Sequence, residues 1–187
     1  LFGWYLAEGW SVTKKGQSRR VCLAGHTKEE PILRRIGKVF DSWGVNWKIY
    51  HKKNTQAIEL HAWSAELALW FRDWFGHGAS GKRVPDALTS LPPRQAKILL
   101  ESYVCGDGYK RNKQVEWVSA SHLLCYQMCL LAARCGFSPT MRRIKKHDHY
   151  VGGYTVKGRP CGEALQKFDA NFVYNPVRSV LLAKGKE

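Results

Sequence analysis

The chain has 187 residues, of which 44% are hydrophobic and 24% are charged. This composition excludes a disordered chain and supplies enough apolar side chains for a packed core. No apolar run reaches the ~18 residues that a membrane-spanning helix needs. Lys and Arg number 30 against 15 Asp and Glu, which gives a net charge of +15. Such a surplus predicts a polyanionic partner, with nucleic acid first and an anionic membrane second.

The first residues are apolar but meet Glu8 without a basic segment before them, so we expect no signal peptide. Because the chain starts at Leu1 rather than Met, we expect it to be a piece of a longer precursor. Six cysteines are scattered without a Cys-x-x-Cys pair. We therefore interpret Cys125 and Cys129 as core thiols and expect a reducing, cytoplasmic setting, associated with the nucleoid or nucleus through DNA.

Apolar periodicity and turn residues in the first half predict the order helix, two strands, helix, two strands, helix. Thr27-Lys28-Glu29-Glu30 predicts a capping box at the start of the central helix, which ends at Gly44. In chain order the predicted elements are residues 1–9, 10–15, 19–24, 27–44, 45–51, 56–62 and 64–75. Residues 77–92 are rich in Gly, Ser and Pro and are predicted to form a linker.

The second half predicts the same order of elements. Pro93 suits the first turn of a helix that continues to Asp107. The predicted elements that follow are residues 109–111, 115–120, 121–135, 140–146, 150–156 and 161–168. Residues 171–187 are predicted to be a less regular tail.

Two segments share a pattern at an offset of 99 residues, namely 1–9 (LFGWYLAEG) and 100–108 (LESYVCGDG). Both begin with Leu, have small residues at the third and seventh places and an aromatic residue at the fourth, and end in a carboxylate followed by Gly. Small residues one helical turn apart let two helix backbones approach closely. The pattern predicts that the two helices pack together at the interface between the halves.

Glu8 and Asp107 fall in the last turns of these two helices, where the helix dipole disfavours an anion. If the helices pair, the two carboxylates also repel each other. A divalent cation would relieve both penalties, and carboxylates with free helix-end carbonyls suit Mg²⁺. A metal held in this way would support phosphodiester hydrolysis. The alternative is two acids that only bond neighbouring amides or basic side chains.

The two segments resemble the LAGLIDADG motifs of homing endonucleases, and specifically those of the intein-type branch. Residues 81–85 (GKRVP), with Leu91-Pro92, resemble the segment before the second motif of that family. Residues 177–180 (VRSV) resemble the strand that leads back towards the splicing domain. The chain has no N-terminal Cys or Ser nucleophile and no terminal His-Asn. We therefore expect the nuclease domain of an intein without its splicing parts.

The resemblance implies an α+β fold of two pseudo-symmetric αββαββα repeats, with the paired motif helices at their interface. The first repeat is expected at 1–76, the linker at 77–92, and the second repeat with its tail at 93–187. The antiparallel sheets of the repeats would form a DNA-binding saddle. The implied activity is a monomeric endonuclease that cuts double-stranded DNA at a long, non-palindromic site and leaves 3′ overhangs.

By the same resemblance, Glu8 and Asp107 bind Mg²⁺, with Ca²⁺ or Mn²⁺ able to replace it for binding, and Ala7 and Gly106 offer backbone carbonyls. Lys82 matches a basic residue beside the active site and would stabilise developing charge. The spacing from Glu8 to Lys82, counted onward from Asp107, ends close to Arg178. Arg178 is therefore the expected counterpart of Lys82 in the second repeat. His26 and Ser119 or Ser121 are either water-organising residues or helix caps.

Alternation along the predicted strands directs one set of side chains outward, where they can contact base edges in the major groove. These are Asn46, Lys48, Tyr50, His61, Arg143 and Lys145. Strand-end turns carry a second set, expected mostly at phosphates. These are Lys14, Lys15, Arg19, Lys52, Lys53, Lys110, Arg111, Lys113 and Lys146. For each residue the alternative is a solvated charge.

A second function remains open, a catalytically silent LAGLIDADG-fold protein that binds DNA or RNA, such as an intron maturase or an intein relic. The presence of both carboxylates argues against it, because a relic tends to lose them. A membrane-surface protein is disfavoured because no basic amphipathic helix is evident.

Overall fold

The first half of the chain forms a four-stranded antiparallel sheet with helices packed on one face. The structure is a computed structural model that describes residues 1–14, 16–111, 114–143, 154–160, 167–168 and 173–174. The first-half elements are α1 (Phe2–Glu8), β1 (Gly9–Val12), β2 (Arg20–His26), α2 (Glu30–Ser42), β3 (Trp47–His51), β4 (Ala57–Ala62) and α3 (Ala65–Phe75). The strands lie in the order β1-β2-β4-β3.

The second half has a sheet of the same topology, with its strands in the order β5-β6-β8-β7. Its elements are α6 (Pro93–Asp107), β5 (Gly108–Arg111), β6 (Gln114–Ser119), α7 (His122–Arg134), β7 (Phe137–Arg143) and β8 (Tyr154–Pro160). All neighbouring strands in both sheets are antiparallel. The predicted α+β class and the two antiparallel sheets are therefore confirmed. Across the described ranges, no helix is long and apolar enough to cross a membrane.

Two local predictions are wrong, one of a helix near the end of the chain and one of a capping box. The end of the helix predicted at 161–168 is instead β9 (Lys167–Phe168), paired with β10 (Val173–Tyr174). A short helical pattern is marginal without packing, and a strand partner overrides it. The linker contains two short helices, α4 (Gly78–Gly81) and α5 (Asp86–Thr89).

The second error concerns the capping box, which lies one residue earlier than predicted. The His26 ring accepts a hydrogen bond from the Lys28 backbone at 3.1 Å, and Glu29 accepts one from the His26 backbone at 2.7 Å. This pair caps a short 3-10 turn, Thr27–Glu29, that leads into α2. Of the two roles open for His26, the structure shows the capping role.

Aromatic packing fixes α1 against the first half. The Tyr5 ring lies 4.5 Å from the Phe71 ring and 5.3 Å from the Phe75 ring, both on α3. The Tyr5 hydroxyl pairs with the Ser11 hydroxyl at 2.8 Å, and the Trp4 indole donates to the Ala24 carbonyl at 3.0 Å. Each large buried side chain contributes roughly 1.5–3 kcal/mol through burial. The C-terminal end of α1 is therefore held from both the sheet and α3.

Helices α1 and α6 pack so closely that their small residues touch. A Cβ at Gly3 would lie 2.7 Å from Ser102 Cβ, and a Cβ at Gly106 would lie 2.6 Å from Ala7 Cβ. Gly3 with Ser102, and Ala7 with Gly106, are the pairs related by the offset of 99 residues. Equivalent residues meet in this way only if a pseudo-twofold axis passes between the helices. The predicted pairing of the two motif helices is confirmed.

Candidate functional site

Two carboxylates stand side by side at the ends of the paired helices. Glu8 is the last residue of α1, and Asp107 is the last residue of α6. A Cβ at Gly106, next to Asp107, would lie only 3.1 Å from Glu8 Cγ, so a larger residue at 106 would collide with Glu8. The sequence pattern predicted that the two acids would meet, and the structure brings them together.

The electrostatics of the pair follow from this closeness. Partial burial and the neighbouring charge of Glu8 raise the pKa of Asp107 to about 6, although Lys82 acts in the opposite direction. Burial also raises the pKa of Glu8, opposed by Lys82 and reinforced by Glu29. Two acids whose ionised forms are disfavoured make a site that gains from binding a cation.

Lys82 supplies a positive charge that acts on both acids. Its Nζ donates hydrogen bonds to the carbonyls of Tyr5, Leu6 and Ala7, at 3.2, 2.8 and 2.9 Å. These carbonyls belong to the last turn of α1, where the helix dipole favours a cation. Burial lowers the pKa of Lys82 to about 8, while Asp107 and Glu8 limit the fall.

The donor set fits a divalent cation that takes part of its coordination from elsewhere. Within the described ranges, no cluster of three or more His, Cys, Asp or Glu side chains could hold a metal ion. Mg²⁺ characteristically uses one or two carboxylates and completes its shell with water and phosphate oxygens. Glu8 and Asp107 match that requirement. The Ala7 carbonyl already accepts from Lys82, so it has only one lone pair left for a metal.

A cavity of about 340 Å³ opens beside Glu8 and Lys82. Its other lining residues include Trp10, Ser11 and His77. Sequence reasoning missed Trp10 and His77 as residues of the site. His77 follows the glycine that ends α3, and no periodicity or motif marks it. The cavity places an aromatic ring and an imidazole in the same recess as Glu8 and Lys82.

We expect Asp107→Asn to stabilise the free protein at neutral pH. The folded state raises the pKa of Asp107 to about 6, above its ordinary value of 3.8, so ionisation costs more in the folded state than in the unfolded state. Stability from this group is therefore lost as the pH rises from about 4 to 6, and the variant avoids that loss. Thermal melting in a chelating buffer measures it.

The melting temperature of Asp107→Asn should exceed that of the wild type at neutral pH and converge with it below pH ~3, where the acid is protonated in both states. Glu101→Gln, at an exposed position on the same helix, is the control and should not change the melting temperature. A variant that melts at or below the wild-type temperature at neutral pH would contradict the site electrostatics.

The outer face of the first sheet gathers three of the predicted base-contacting residues. Lys48 lies opposite His61 in the β3–β4 ladder, and the Tyr50 ring lies 5.0 Å from the His61 ring. The Lys48 ammonium lies 5.3 Å from the Tyr50 ring centre. Asn46 is exposed just before β3. The alternation predicted for β4 is confirmed, since Ile58 and Leu60 are buried between less buried neighbours.

An acid on the same face was missed as a site residue. Glu59 accepts hydrogen bonds from His61 at 3.0 Å and pairs with Lys52 at 2.5 Å. Burial alone would raise the pKa of Glu59, but these two partners bring it below its ordinary value. Lys52, predicted at a phosphate, is thus engaged with Glu59, and a carboxylate stands among the basic side chains.

The remaining residues predicted to contact DNA fall into three groups: those with exposed side chains, one with only its backbone described, and those outside the described ranges. Exposed side chains include Lys14, Arg19, Lys53, Lys110 and Arg143. Arg111 ends β5, and only its backbone is described. Outside the described residues lie Lys15, Lys113, Lys145, Lys146 and Arg178.

The sequence of the chain is similar to parts of two kinds of curated protein. No family model matches the chain. The chain is 28% identical over 153 residues to the ATP-dependent DNA helicase Hel308 of Thermococcus kodakarensis, covering 76% of the chain and 13% of the helicase. It is 28% identical over 184 residues to an iron-sulfur cluster assembly SufBD family protein of Mycobacterium bovis, covering 85% of the chain and 21% of that protein. The chain thus spans about a fifth or less of these curated relatives.

Several solved structures resemble the structure of this chain. The crystal structure of I-DmoI in complex with DNA and Ca has a TM-score of 0.62 at 15% identity, over 84% of this chain and 79% of that one. A complex of I-DmoI with DNA and Mn has a TM-score of 0.60 at 16% identity, over 84% and 85%. Full-length DUF199/WhiA from Thermatoga maritima has a TM-score of 0.50 at 11% identity, over 85% and 49%. The chain therefore has the fold of the homing endonuclease I-DmoI.

Proposed function

We propose that this chain is a divalent-metal-dependent, site-specific endonuclease of double-stranded DNA, and that it acts as a monomer. The observation that carries the proposal is the pair of carboxylates at the ends of two closely packed, repeat-related helices, with the charge of Lys82 acting on both. The fold shared with I-DmoI, which has been crystallised with DNA and with Ca or Mn, supports the same function. The +15 charge supplies long-range attraction to DNA.

Glu8 and Asp107 would hold the metal, with the carbonyls of Ala7 and Gly106 as further ligands. When bound, the divalent ion supplies an activated water and neutralises charge on the scissile phosphate. At neutral pH Asp107, with its pKa of about 6, is mostly ionised and able to bind. Lys82, with its pKa of about 8, is mostly protonated. Its ammonium would stabilise negative charge beside the acids and fix the end of α1.

Each repeat would supply one acid and one sheet to a DNA-binding saddle. The outward side chains of the two sheets differ, so the bound site would be long and non-palindromic, whereas a symmetric dimer would need near-palindromy. Cleavage of both strands would leave 3′ overhangs, as the resemblance to LAGLIDADG enzymes implies. The cavity beside Glu8 gives the cleavage site a recess lined by Trp10 and His77.

The curated relatives support an intein origin. The chain matches small parts of a DNA helicase and of an iron-sulfur cluster assembly family protein, whose names describe different activities. A nuclease domain carried by a mobile intein would occur in otherwise different proteins in this way. The intein-type motif pattern at 1–9 and 100–108 supports the same origin.

A cleavage selection tests the function. We expect the protein to linearise members of a randomised plasmid library with Mg²⁺ or Mn²⁺ and to bind the same members without cutting them in Ca²⁺. In a chelator it should cut neither strand. Sequencing the ends should show 3′ overhangs within one long site. Sequence-selective binding with no cut on any library member would instead support the catalytically silent alternative.

A further inference from the structure

Lys82 belongs to the linker, yet helix α7 of the second half holds the backbone on which it stands. The Ser121 hydroxyl donates to the Lys82 carbonyl at 2.6 Å. Val84 lies two residues after Lys82. The Gln127 side chain donates to the Val84 carbonyl and accepts from the Val84 amide, both at 2.8 Å. We call Ser121 and Gln127 the α7 clamp. Its three hydrogen bonds grip the chain at Lys82 and just after it.

The α7 clamp is buried and fully used. Gln127 is 8% exposed and Ser121 is 2% exposed, while Val84 is inaccessible. Buried polar side chains need partners, and here one amide satisfies both backbone groups of a single residue. Ser121 also accepts from the Leu124 amide at 3.1 Å, which caps α7. The first turns of α7 therefore help to set the position of the linker backbone, together with the Phe75 carbonyl at the end of α3, which accepts from the Arg83 amide at 2.9 Å.

A fixed backbone matters because of what the Lys82 side chain reaches. A lysine side chain has a long flexible stem and loses conformational freedom when it is ordered. Its ammonium is nevertheless held on three carbonyls at the end of α1, beside Glu8. Those bonds need the Cα of Lys82 within reach of the end of α1, and the clamp supplies part of that constraint from the other half of the molecule.

We propose that Gln127 and Ser121 are positioning residues that hold Lys82 in place at the acid pair, so that the cleavage site on the first half depends on α7 of the second half. This inference rests on the proposed function, in which Lys82 acts in DNA cleavage. The clamp residues do not line the cavity, so their effect on the cleavage site is exerted through the position of Lys82.

A double-mutant cycle tests the inference. Gln127→Met keeps the side-chain length but removes both hydrogen bonds to Val84. We expect single-turnover cleavage to slow by ~10-fold or more, since small misplacements of a catalytic group can cost ~10²-fold. Lys82→Met should slow it by ~10²-fold or more, as loss of an electrostatic stabiliser does. Combining the two should be no slower than Lys82→Met alone, because both changes remove the same contribution.

Controls separate positioning from general damage. DNA affinity in Ca²⁺ should be unchanged in every variant. Gln95→Met makes the same chemical change at an exposed position on α6 and should cut like the wild type. Ser121→Asp is the second variant, because Asp caps a helix as well as Ser but, when ionised, has no proton to donate to Lys82. Wild-type cleavage by Gln127→Met, or an equal further loss in the Lys82→Met background, would overturn the proposal.

The positioning of Lys82 by the α7 clamp can also be tested by a measurement that does not depend on DNA cleavage. The Val84 amide and the Lys82 ammonium protons are hydrogen-bonded and should exchange slowly with water in nuclear magnetic resonance spectra of the wild type. Gln127→Met should speed both exchanges. A wild type that cuts no DNA would refute the function alone. Lys82 protons that exchange equally fast in the variant and the wild type would refute the positioning role.

Discussion

Glu8→Gln and Asp107→Asn should each abolish DNA cleavage while leaving DNA binding intact. Either change removes one of the two carboxylates but preserves side-chain size, so packing of α1 on α6 is kept. We expect single-turnover rates to fall by ~10³-fold or more, since loss of even one hydrogen-bond donor to developing charge costs ~10²–10³. The rate is measured with Mg²⁺ on a selected site, and affinity is measured in Ca²⁺.

Two comparisons make this result specific. Asp107→Asn is also expected to raise the melting temperature, so a loss of cutting in that variant cannot come from unfolding. Glu101→Gln removes a carboxylate from an exposed position on the same helix and should cut normally. If either amide variant retained more than a small part of the wild-type rate, the acid pair would not be the metal site.

Gly3→Ala should destabilise the fold more than an alanine normally does in a helix. The new Cβ would lie 2.5 Å from the Leu99 carbonyl oxygen, 2.7 Å from Ser102 Cβ and 2.8 Å from the Tyr103 nitrogen, all on α6. Two of these atoms are backbone, so the helices must separate. Overpacking costs typically 1–3 kcal/mol, and we expect a value near ~3 kcal/mol because no side chain can yield. Chemical denaturation measures it.

The sign of the effect discriminates between tight and loose packing. In a helix free of neighbours, Gly→Ala stabilises by up to ~1 kcal/mol. Gly81→Ala is the matched control, because a Cβ there meets nothing within 4 Å, and it should be neutral or slightly stabilising. A Gly3→Ala protein as stable as the Gly81→Ala protein would mean that α1 and α6 do not touch as described. Separation of the helices should also reduce cleavage, since it moves Glu8 from Asp107.

The parts of the fold that the sequence predicts are those with a strong local period. Helix α7, predicted at residues 121–135, has Leu124, Met128 and Leu131 buried at helical spacing. The helix pair was predictable because small residues recur at the same places in both copies of one motif. The hairpin of β9 and β10 was not, since strand pairing depends on a distant partner that a local pattern does not contain.

The candidate site divides in the same way. Glu8 and Asp107 were predictable because an anion at a helix C-terminus is unfavourable and occurs twice at one spacing. Gln127 was missed, although a signal existed, namely a polar residue three positions after Leu124 on the buried stripe of α7. Glu59 was missed because it pairs with Lys52 across a turn and with His61 along a strand, and neither pairing follows from a regular spacing in the sequence.

The contacts of Gly3 with Ser102 and of Ala7 with Gly106 bear on how this molecule can change. In a dimer of two identical chains, each of these contacts would join two copies of one residue, so a substitution by a larger side chain would occur on both helices. Within a single polypeptide, one residue of a pair can be replaced by a larger one while its counterpart remains small. Each half can therefore accumulate substitutions independently, and the outer face of one sheet can be redesigned without disturbing the contact between α1 and α6 or the opposite sheet.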